Sequence, residues 1–488
     1  MAARLSSLQV LDVDTLRPVL RRWSTGWRLV LVLGLLAVVT HLPSLVRTEV
    51  LNPDESFLAT QAQVINHGGR LYHDVVDRKP PIVPYVYALT FRVTGSDSLW
   101  WVRVVAIGAH LLTALLVAAI ARERWNRRAG LAAGIFYLTA SCGLVVEDSQ
   151  PANFEVFMTT LMCAAMYLGL RERTAPSGTF AALATLAKQT AATTMLPLAW
   201  LAWRRDRLSG VIRLGAAFAG LIAAVAVLFG WRDFVFWVFT GTTGYLDASG
   251  SWSLVVKRGF ASSGIFLGAN VAALLLVIAG ARRWRQDIEL WLWLLAGIIG
   301  VAAGFRFFGH YYLQIAPPFA LLAAGTIADS RLVVWLRSAA LSGLSILVFV
   351  ALAFVTHPRI LHRYDRITAA IDASTRPGER IFVWGQFPQL YWASGRQPAT
   401  RFLTSGFLTN FSGGRSPSHI GPEYAVDGAW DDFSADLGAH PPALIIDASA
   451  GTPFAVDRFP AFAAYIDRDY VPLGQMDGVL FYTRRDRP

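Results

Sequence analysis

The stretch that decides the fold runs from Trp27 to Leu45, WRLVLVLGLLAVVTHLPSL, and is followed at 52–55 by the polar tetrapeptide NPDE. Such a run is long enough to cross a hydrocarbon core of roughly 30 Å. It is too long for a cleaved signal peptide, and no small-residue cleavage pattern follows it. The arginines before it or at its start are Arg17, Arg21, Arg22 and Arg28. This positive charge predicts a cytoplasmic amino terminus, with Asp54 and Glu55 emerging on the outer side.

The composition indicates a polytopic membrane protein that also has a soluble portion. Hydrophobic residues make up 54% of the 488 residues, charged residues only 16%, and the mean hydropathy is +0.43. The net charge of +11 comes largely from short arginine clusters between apolar runs. Because cytoplasmic loops carry such clusters, the charge predicts contact with the lipid bilayer rather than with nucleic acid. Cys142 and Cys163 lie inside apolar runs and are interpreted as helix-packing residues.

The further apolar runs lie at 98–121, 130–146, 154–170, 178–203, 211–230, 263–281, 288–304, 312–328 and 333–355. Every second connection between them is rich in arginine, which is typical of cytoplasmic loops. This alternation holds only if 178–203 forms a hairpin through Lys188. The sequence therefore predicts about eleven transmembrane helices in the cell membrane.

An odd number of crossings places three long polar stretches, 47–97, 231–262 and 356–488, on the outer face. We expect two domains: a transmembrane catalytic domain over 1–355, with 47–97 as its outer loop, and an extracytoplasmic α/β domain over 356–488. Short strand-like pieces at 380–383, 443–446 and 478–482 indicate the second fold.

The role of the predicted α/β domain stays open between a substrate-facing lid or acceptor-binding surface and a stabilising cap. Trp384, Gln386 and Tyr391 lie near a predicted strand end in this domain. They are candidates for contacts with an acceptor sugar.

The first outer loop has the strongest concentration of chemically active side chains. Two amphipathic stretches in it would lie along the membrane interface rather than cross it. Asp54 and Glu55 share this loop with Arg70, Arg78 and Lys79. The three cations would offer counter-charge to a phosphate-bearing lipid at the level of the headgroups.

These motifs resemble the integral-membrane glycosyltransferases of the GT-C superfamily, in the family 39-like branch of the protein O-mannosyltransferases and the lipid A aminoarabinose transferase. The likeness covers roughly the first 330 residues, and the weaker match of the carboxy-terminal domain is to actinobacterial members. The motifs that carry it are Asp54-Glu55, Gly68-Gly69 with Tyr72, Lys79-Pro80-Pro81, Asn153-Phe154-Glu155, Lys188-Gln189 and His310-Tyr311-Tyr312-Leu313-Gln314.

The resemblance implies transfer of a sugar from a polyprenyl-phosphate donor to an acceptor hydroxyl on the outer face, with inversion of the anomeric centre. By position, Asp54 would be the general base, and Lys79 matches a lysine that contacts the donor phosphate. A positioned carboxylate base contributes about 10²–10⁴-fold to a rate. Glu55 would orient Asp54, raise its pKa by like-charge proximity or bind the acceptor. The alternative for both acids is capping of the following helix.

Two further groups of residues are site candidates. Ionisable groups near apolar helices are costly and indicate function. The candidates for the donor phosphate, beyond Lys79, are Arg70, Arg78, Lys188, Arg306 and His310. The candidates for substrate binding are Asp148, Asn153, Glu155, Tyr311 and Gln314. For Lys188 the partner stays open between a lipid phosphate and a carboxylate such as Glu155, while Tyr311 is also typical of an interfacial aromatic belt.

The acceptor class stays open among a glycan, a lipid and a protein, with a cell-wall polymer favoured. The sequence assigns no cofactor and leaves open a divalent cation held by the acids, whose spacing does not require one. A polytopic transporter or flippase for a sugar-linked lipid is the main competing function. Such proteins usually have two similar halves, and no internal repeat is evident in this sequence.

Overall fold

A computed structural model describes residues 26–241, 251–356, 364–411 and 417–486. The amino-terminal arginines Arg17, Arg21 and Arg22 lie outside these residues, so their part in the predicted topology is not tested. Within the described ranges the chain is mainly helical, and its few strands all lie after residue 379.

The first apolar run is broken near its end. Helix α1 spans Gly26–Thr40 and the short α2 spans Leu42–Val46, with His41 between them in a non-helical conformation. Pro43 lies in the first turn of α2, where its missing N–H removes no helical hydrogen bond. The apolar run from Trp27 to Leu45 therefore consists of two helical segments, and its crossing of the membrane stays a prediction.

The outer loop and the membrane region continue as a series of helices joined by short connections. The helices are α3 Pro53–Asn66, α4 Ile82–Thr94, α5 Leu99–Arg124, α6 Arg127–Cys142, α7 Val146–Ser149, α8 Phe154–Leu170, α9 Thr174–Ala187, α10 Met195–Leu228, α11 Trp231–Val235, α12 Trp252–Ala269, α13 Val271–Gly280, α14 Ile288–Ala302, α15 Ala316–Ala328 and α16 Leu332–Val355. Short 3₁₀ segments at Gln189–Thr194, Ala281–Gln286 and Gly309–Gln314 and a π segment at Phe236–Thr240 connect several of them. Both cysteines are buried and free, as helix-packing residues should be.

Three of these helical segments are long and apolar enough to cross a membrane on length and composition: Leu99–Arg124, Gln189–Leu228 and Leu332–Val355. The bent pair Trp252–Ala269 and Val271–Gln286 makes a fourth if it is one span. Shorter apolar helices of 10–17 residues are α1, α8, α14 and α15. These counts apply to the described residues only, and the total of about eleven crossings stays a prediction.

The helical path is interrupted at Lys188, where the sequence predicts the tip of a hairpin. Helix α9 ends at Ala187, Lys188 is extended, and the helical path resumes through the 3₁₀ segment before Met195. A second break lies within α10 at Arg207, whose φ of 53° is left-handed. Beyond this second break, Leu214 of α10 lies against Gly178 of α9.

The carboxy-terminal region folds around a five-stranded mixed sheet in the order β2-β1-β3-β5-β4. The strands are β1 Arg380–Trp384, β2 Gln397–Pro398, β3 Leu444–Asp447, β4 Tyr470–Met476 and β5 Val479–Arg484. The helices around it are α17 Tyr364–Ser374, α18 Gln389–Ser394, α19 Gly406–Thr409, α20 Ala429–Ala439 and α21 Pro460–Asp469. β1 pairs in parallel with β2 and β3, whereas β5 is antiparallel to β3 and β4. Asp477-Gly478 joins β4 to β5 with positive φ at both residues, as a tight hairpin turn requires.

This carboxy-terminal region is fastened to the outer loop. Val76 N–H donates to the Arg401 carbonyl at 3.1 Å, and Trp392 Nε1–H donates to the Asp97 carbonyl at 2.8 Å. A shared apolar cluster combines Tyr72 of the loop with Trp237 and with Phe382 of the sheet. The sheet region therefore supports the loop that carries Asp54 and Lys79.

The contact between α9 and α10 depends on the small size of Gly178. A Cβ at Gly178 would collide with the Leu214 carbonyl, whereas a Cβ at Gly215 would meet no atom within 4 Å. Overpacking of this kind typically costs about 1–3 kcal/mol. We expect Gly178→Ala to lower the melting temperature of the detergent-purified protein. Gly215→Ala, the matched control, should leave it unchanged or raise it, and equal effects of the two changes would contradict this packing.

Candidate active site

Asp54 occupies the first turn of α3 without capping it. Asn52 is the cap, since its side-chain oxygen accepts a hydrogen bond from Asp54 N–H at 2.9 Å. The Asp54 carboxylate is therefore not used for capping, and its Oδ2 lies 2.9 Å from Lys79 Nζ. The Asp54 and Lys79 side chains are 35% and 21% exposed, so a ligand can reach the pair.

The electrostatic surroundings stabilise Asp54 as a carboxylate. Burial by itself raises the pKa of Asp54, but the nearby charges of Lys79, His310 and Lys188 outweigh burial and lower this pKa to about 2. The net shift is thus opposite in direction to the predicted option in which Glu55 raises the pKa of Asp54. Burial lowers the pKa of Lys79, yet Asp54 and Asp77 more than compensate and leave it raised. Both members of the pair are charged at neutral pH.

Glu55 turns into the protein interior and contacts Arg103 of α5. Arg103 Nε and Nη2 donate to the two Glu55 carboxylate oxygens at 2.8 and 2.7 Å, and both side chains are almost fully buried. The same guanidinium donates to the carbonyls of Ser44, Arg47 and Glu49. The prediction that Glu55 contacts substrate does not fit this geometry. Glu55 is instead a positioning residue that holds the start of α3 against α5.

A second acid–base pair lies beside Asp54 and Lys79. Lys79 Nζ lies 3.9 Å from the centre of the Phe154 ring, a cation–π distance. The neighbouring residue Glu155 forms an ion pair with Lys188. Lys188 Nζ also lies 3.7 Å from the centre of the Tyr311 ring. The open question about Lys188 is answered for this structure, in which its partner is Glu155.

His310 lies between two acids of the cluster, Asp148 and Glu155. Its Nδ1 lies 2.5 Å from Asp148 Oδ1, and its Nε2 lies 3.9 Å from Glu155 Oε1. Burial lowers the pKa of His310, but Glu155 and Asp148 raise it by more, so the net change is upward. Gly309 permits this contact, because a Cβ there would collide with the Asp148 carboxylate.

Several polar atoms in this part of the structure have no hydrogen-bond partner among the described residues. They include both side-chain amide atoms of Asn153, Oε2 of Glu155 and Oε1 of Gln314. All three residues are almost fully buried. A buried polar atom left unpaired costs about 1–3 kcal/mol, so these atoms have hydrogen-bonding capacity that a rearranged, ligand-bound site would use.

The remaining phosphate candidates have other surroundings. Arg70 is exposed and its Nε lies 3.7 Å from Asp74, so the structure does not bring it to the Asp54 pair. The Arg78 guanidinium lies 5.1 Å from the centre of the Phe407 ring in the carboxy-terminal region. Arg306 is buried, and its carbonyl accepts a hydrogen bond from Arg258.

The acceptor-sugar candidates of the sheet region are wrong in part. Trp384 and Tyr391 are fully buried, and the Tyr391 hydroxyl accepts a hydrogen bond from Val383 N–H at 2.8 Å. They stabilise the sheet from within. As for a metal, no group of three or more His, Cys, Asp or Glu side chains is placed to hold one within the described ranges.

Sequence reasoning missed Arg103 and Phe154 as parts of this site. Arg103 lies in the apolar run 98–121, where a charged residue is costly unless it is paired. That cost was a usable signal for Arg103. Nothing local to Phe154 indicates that its ring faces Lys79, because this contact arises only from the tertiary packing of α8 against the outer loop.

The fold and the cluster together define a membrane protein with paired charges at the ends of its helices, and comparison with known proteins agrees. A family model described as dolichyl-phosphate-mannose-protein mannosyltransferase matches residues 78–231. A search among curated proteins by sequence returns no match.

Solved structures that match this fold include proteins from Cupriavidus metallidurans and Archaeoglobus fulgidus. ArnT from Cupriavidus metallidurans, in the apo state, has a TM-score of 0.64 at 15% identity over 93% of this chain and 97% of its own. The same protein bound to undecaprenyl phosphate has a TM-score of 0.61 over the same shares of the two chains. The archaeal oligosaccharyltransferase AglB from Archaeoglobus fulgidus, with an inhibitory peptide and a dolichol-phosphate, gives 0.52 at 11% identity over 96% of this chain and 75% of its own. The chain therefore shares the fold of these structures, as the resemblance of its motifs to the GT-C superfamily implies.

The buried Glu55–Arg103 pair predicts a large loss of stability when one partner is removed. Arg103→Met leaves a carboxylate buried without its cation, a change that typically costs about 3–5 kcal/mol. We expect a clear fall in the melting temperature of the purified protein. Arg468→Met removes an exposed arginine whose ion pair is with its sequence neighbour Asp469 and should have little effect on the melting temperature. An unchanged melting temperature for Arg103→Met would contradict the positioning role of this pair.

Proposed function

We propose that this protein is a membrane glycosyltransferase. It moves a sugar from a polyprenyl-phosphate-linked donor to an acceptor hydroxyl on the outer face of the membrane, with inversion and with Asp54 as the general base. The observation that carries the proposal is the contact between Asp54 and Lys79 at 2.9 Å, in the outer loop of a GT-C fold. It joins a proton acceptor to a cation suited to phosphate.

The proposed reaction uses these groups as follows. The acceptor oxygen attacks the anomeric carbon while its proton passes to an Asp54 carboxylate oxygen. The bond between that carbon and the phosphate oxygen breaks, and its electron pair stays on the leaving phosphate. A compact ammonium such as that of Lys79 offsets the charge that develops on the phosphate.

The choice of donor is supported by the proteins that share the fold. The ArnT structure holds undecaprenyl phosphate, and the AglB complex holds a dolichol-phosphate and a peptide. By analogy, a polyprenyl phosphate is the proposed donor lipid of this chain. The same analogy leaves the sugar open, whether hexose or pentose, and it leaves a glycan, a lipid or a protein as the acceptor.

The proposed division of the chain follows the sequence reading. Residues 1–355 would form the membrane catalytic domain and 356–488 an extracytoplasmic α/β domain, with the amino terminus in the cytoplasm. The hydrogen bonds from Val76 to Arg401 and from Trp392 to Asp97 support a structural role for the second domain. It would fix the outer loop in place above the membrane region.

A direct test incubates the purified protein with a panel of radiolabelled polyprenyl-phosphate sugars and membrane acceptors. We expect Asp54→Asn to lower the rate of transfer by about 10²–10⁴-fold, because the acceptor then lacks its base. Asp74→Asn, which removes an exposed carboxylate of the same loop, should transfer at the wild-type rate.

Two results would contradict the proposal. Transfer by Asp54→Asn at the wild-type rate would rule out Asp54 as the base. Movement of labelled lipid across a liposome bilayer, without consumption of any donor, would instead support the flippase function.

A further inference from the structure

The chain uses lysine sparingly, and two of its three lysines lie in the candidate site. Lysine occurs only at Lys79, Lys188 and Lys257, although Lys and Arg together number 44. Lys79 pairs with Asp54 and Lys188 with Glu155, while Lys257 is exposed on α12. Lysine offers a compact, mobile ammonium, whereas arginine forms a fixed fork that favours bidentate pairing. A lysine is therefore the better cation where a partner must be exchanged.

Each of the three acids of the site already has a basic partner. Asp54 contacts Lys79, Glu155 contacts Lys188, and Asp148 contacts His310. An incoming phosphate that binds either lysine competes with a carboxylate for the positive charge of its ammonium. Such a competition releases the carboxylate, which then regains its capacity to accept a proton.

Exposure decides which of the two lysine pairs a phosphate reaches first. The side chains of Lys79 and Asp54 are 21% and 35% exposed, whereas those of Lys188 and Glu155 are 9% and 1% exposed. Lys79 also lies over the Phe154 ring. The ring can hold the ammonium in place without holding Asp54, so the lysine can change anions while keeping this contact.

The stereochemistry of inversion also requires Lys79 to move away from Asp54. In an inverting displacement the base and the leaving phosphate lie on opposite sides of the anomeric carbon. A Lys79 ammonium 2.9 Å from the base cannot serve the leaving group in that position. The Asp54–Lys79 pair must therefore open before the reaction.

We propose that Lys79 has a second role, in which it blocks Asp54 in the empty site and releases it when the donor phosphate binds. The inference rests on the proposed function and adds an order to it: the donor binds before the base becomes competent. After transfer the proton is on Asp54 and the phosphate is on the leaving lipid. Departure of both restores the ion pair and closes the cycle.

The test measures the protonation of Asp54 rather than transfer. A hydrophobic carbodiimide reacts with protonated carboxyl groups, and mass spectrometry of the digested protein reports its rate of addition at Asp54. The probe is farnesyl phosphate, and farnesol is the uncharged control. The pKa of Asp54 is about 2, because the charges of Lys79, His310 and Lys188 outweigh the effect of burial. Asp77 is a further acid near Lys79.

At mildly acidic pH we expect farnesyl phosphate to raise the labelling rate of Asp54 by about tenfold or more. An adjacent opposite charge typically lowers a carboxyl pKa by about 1–3 units, and each unit recovered raises the protonated fraction about tenfold. Farnesol should have no effect. In Lys79→Met, Asp54 should be labelled rapidly without farnesyl phosphate, and adding it should change the rate little. Lys257→Met should behave as wild type.

Labelling of Asp54 that stays slow at saturating farnesyl phosphate would overturn the inference, as would slow labelling in Lys79→Met. Either result leaves the proposed function standing if transfer still depends on Asp54. Failure of the proposed function has a different signature, namely no Asp54-dependent transfer from any donor. The two proposals can therefore fail separately.

Discussion

The buried ion pair between Glu55 and Arg103 is the interaction on which the rest of the site depends. It fixes the first turn of α3 to α5 and ties in the carbonyls of Ser44, Arg47 and Glu49. Glu55 points inward and is held there, whereas its neighbour Asp54 is directed towards Lys79. Two adjacent acids thus have different tasks, one of positioning and one of proposed chemistry.

The other charged residues of the site form pairs of an acid with a basic residue. Lys79 of the outer loop meets Asp54, Lys188 at the break after α9 meets Glu155, and His310 meets Asp148. Segments far apart in the chain are joined in this way at one place. The sheet region holds the loop from the other side through Trp392 and Val76.

Much of the fold was accessible from the sequence, because apolar run length and turn residues are local properties. The three strand-like pieces became β1, β3 and β5, and the chain breaks at Lys188 as predicted. The break at His41 was missed, although Pro43 was a local sign of it. The pairing of residues was less accessible: neither the contact of Glu55 with Arg103 nor that of Lys79 with Phe154 follows from spacing. Such contacts depend on how distant helices pack, which a single sequence does not specify.

The central claim is that the donor phosphate takes the place of Asp54 on Lys79. The most direct measurement is an experimental structure of the protein with a polyprenyl phosphate bound. The account predicts a phosphate oxygen within about 2.7–3.2 Å of the Lys79 ammonium, with the Asp54 carboxylate released from it. A bound phosphate remote from Lys79, with the Asp54–Lys79 pair intact, would contradict the claim.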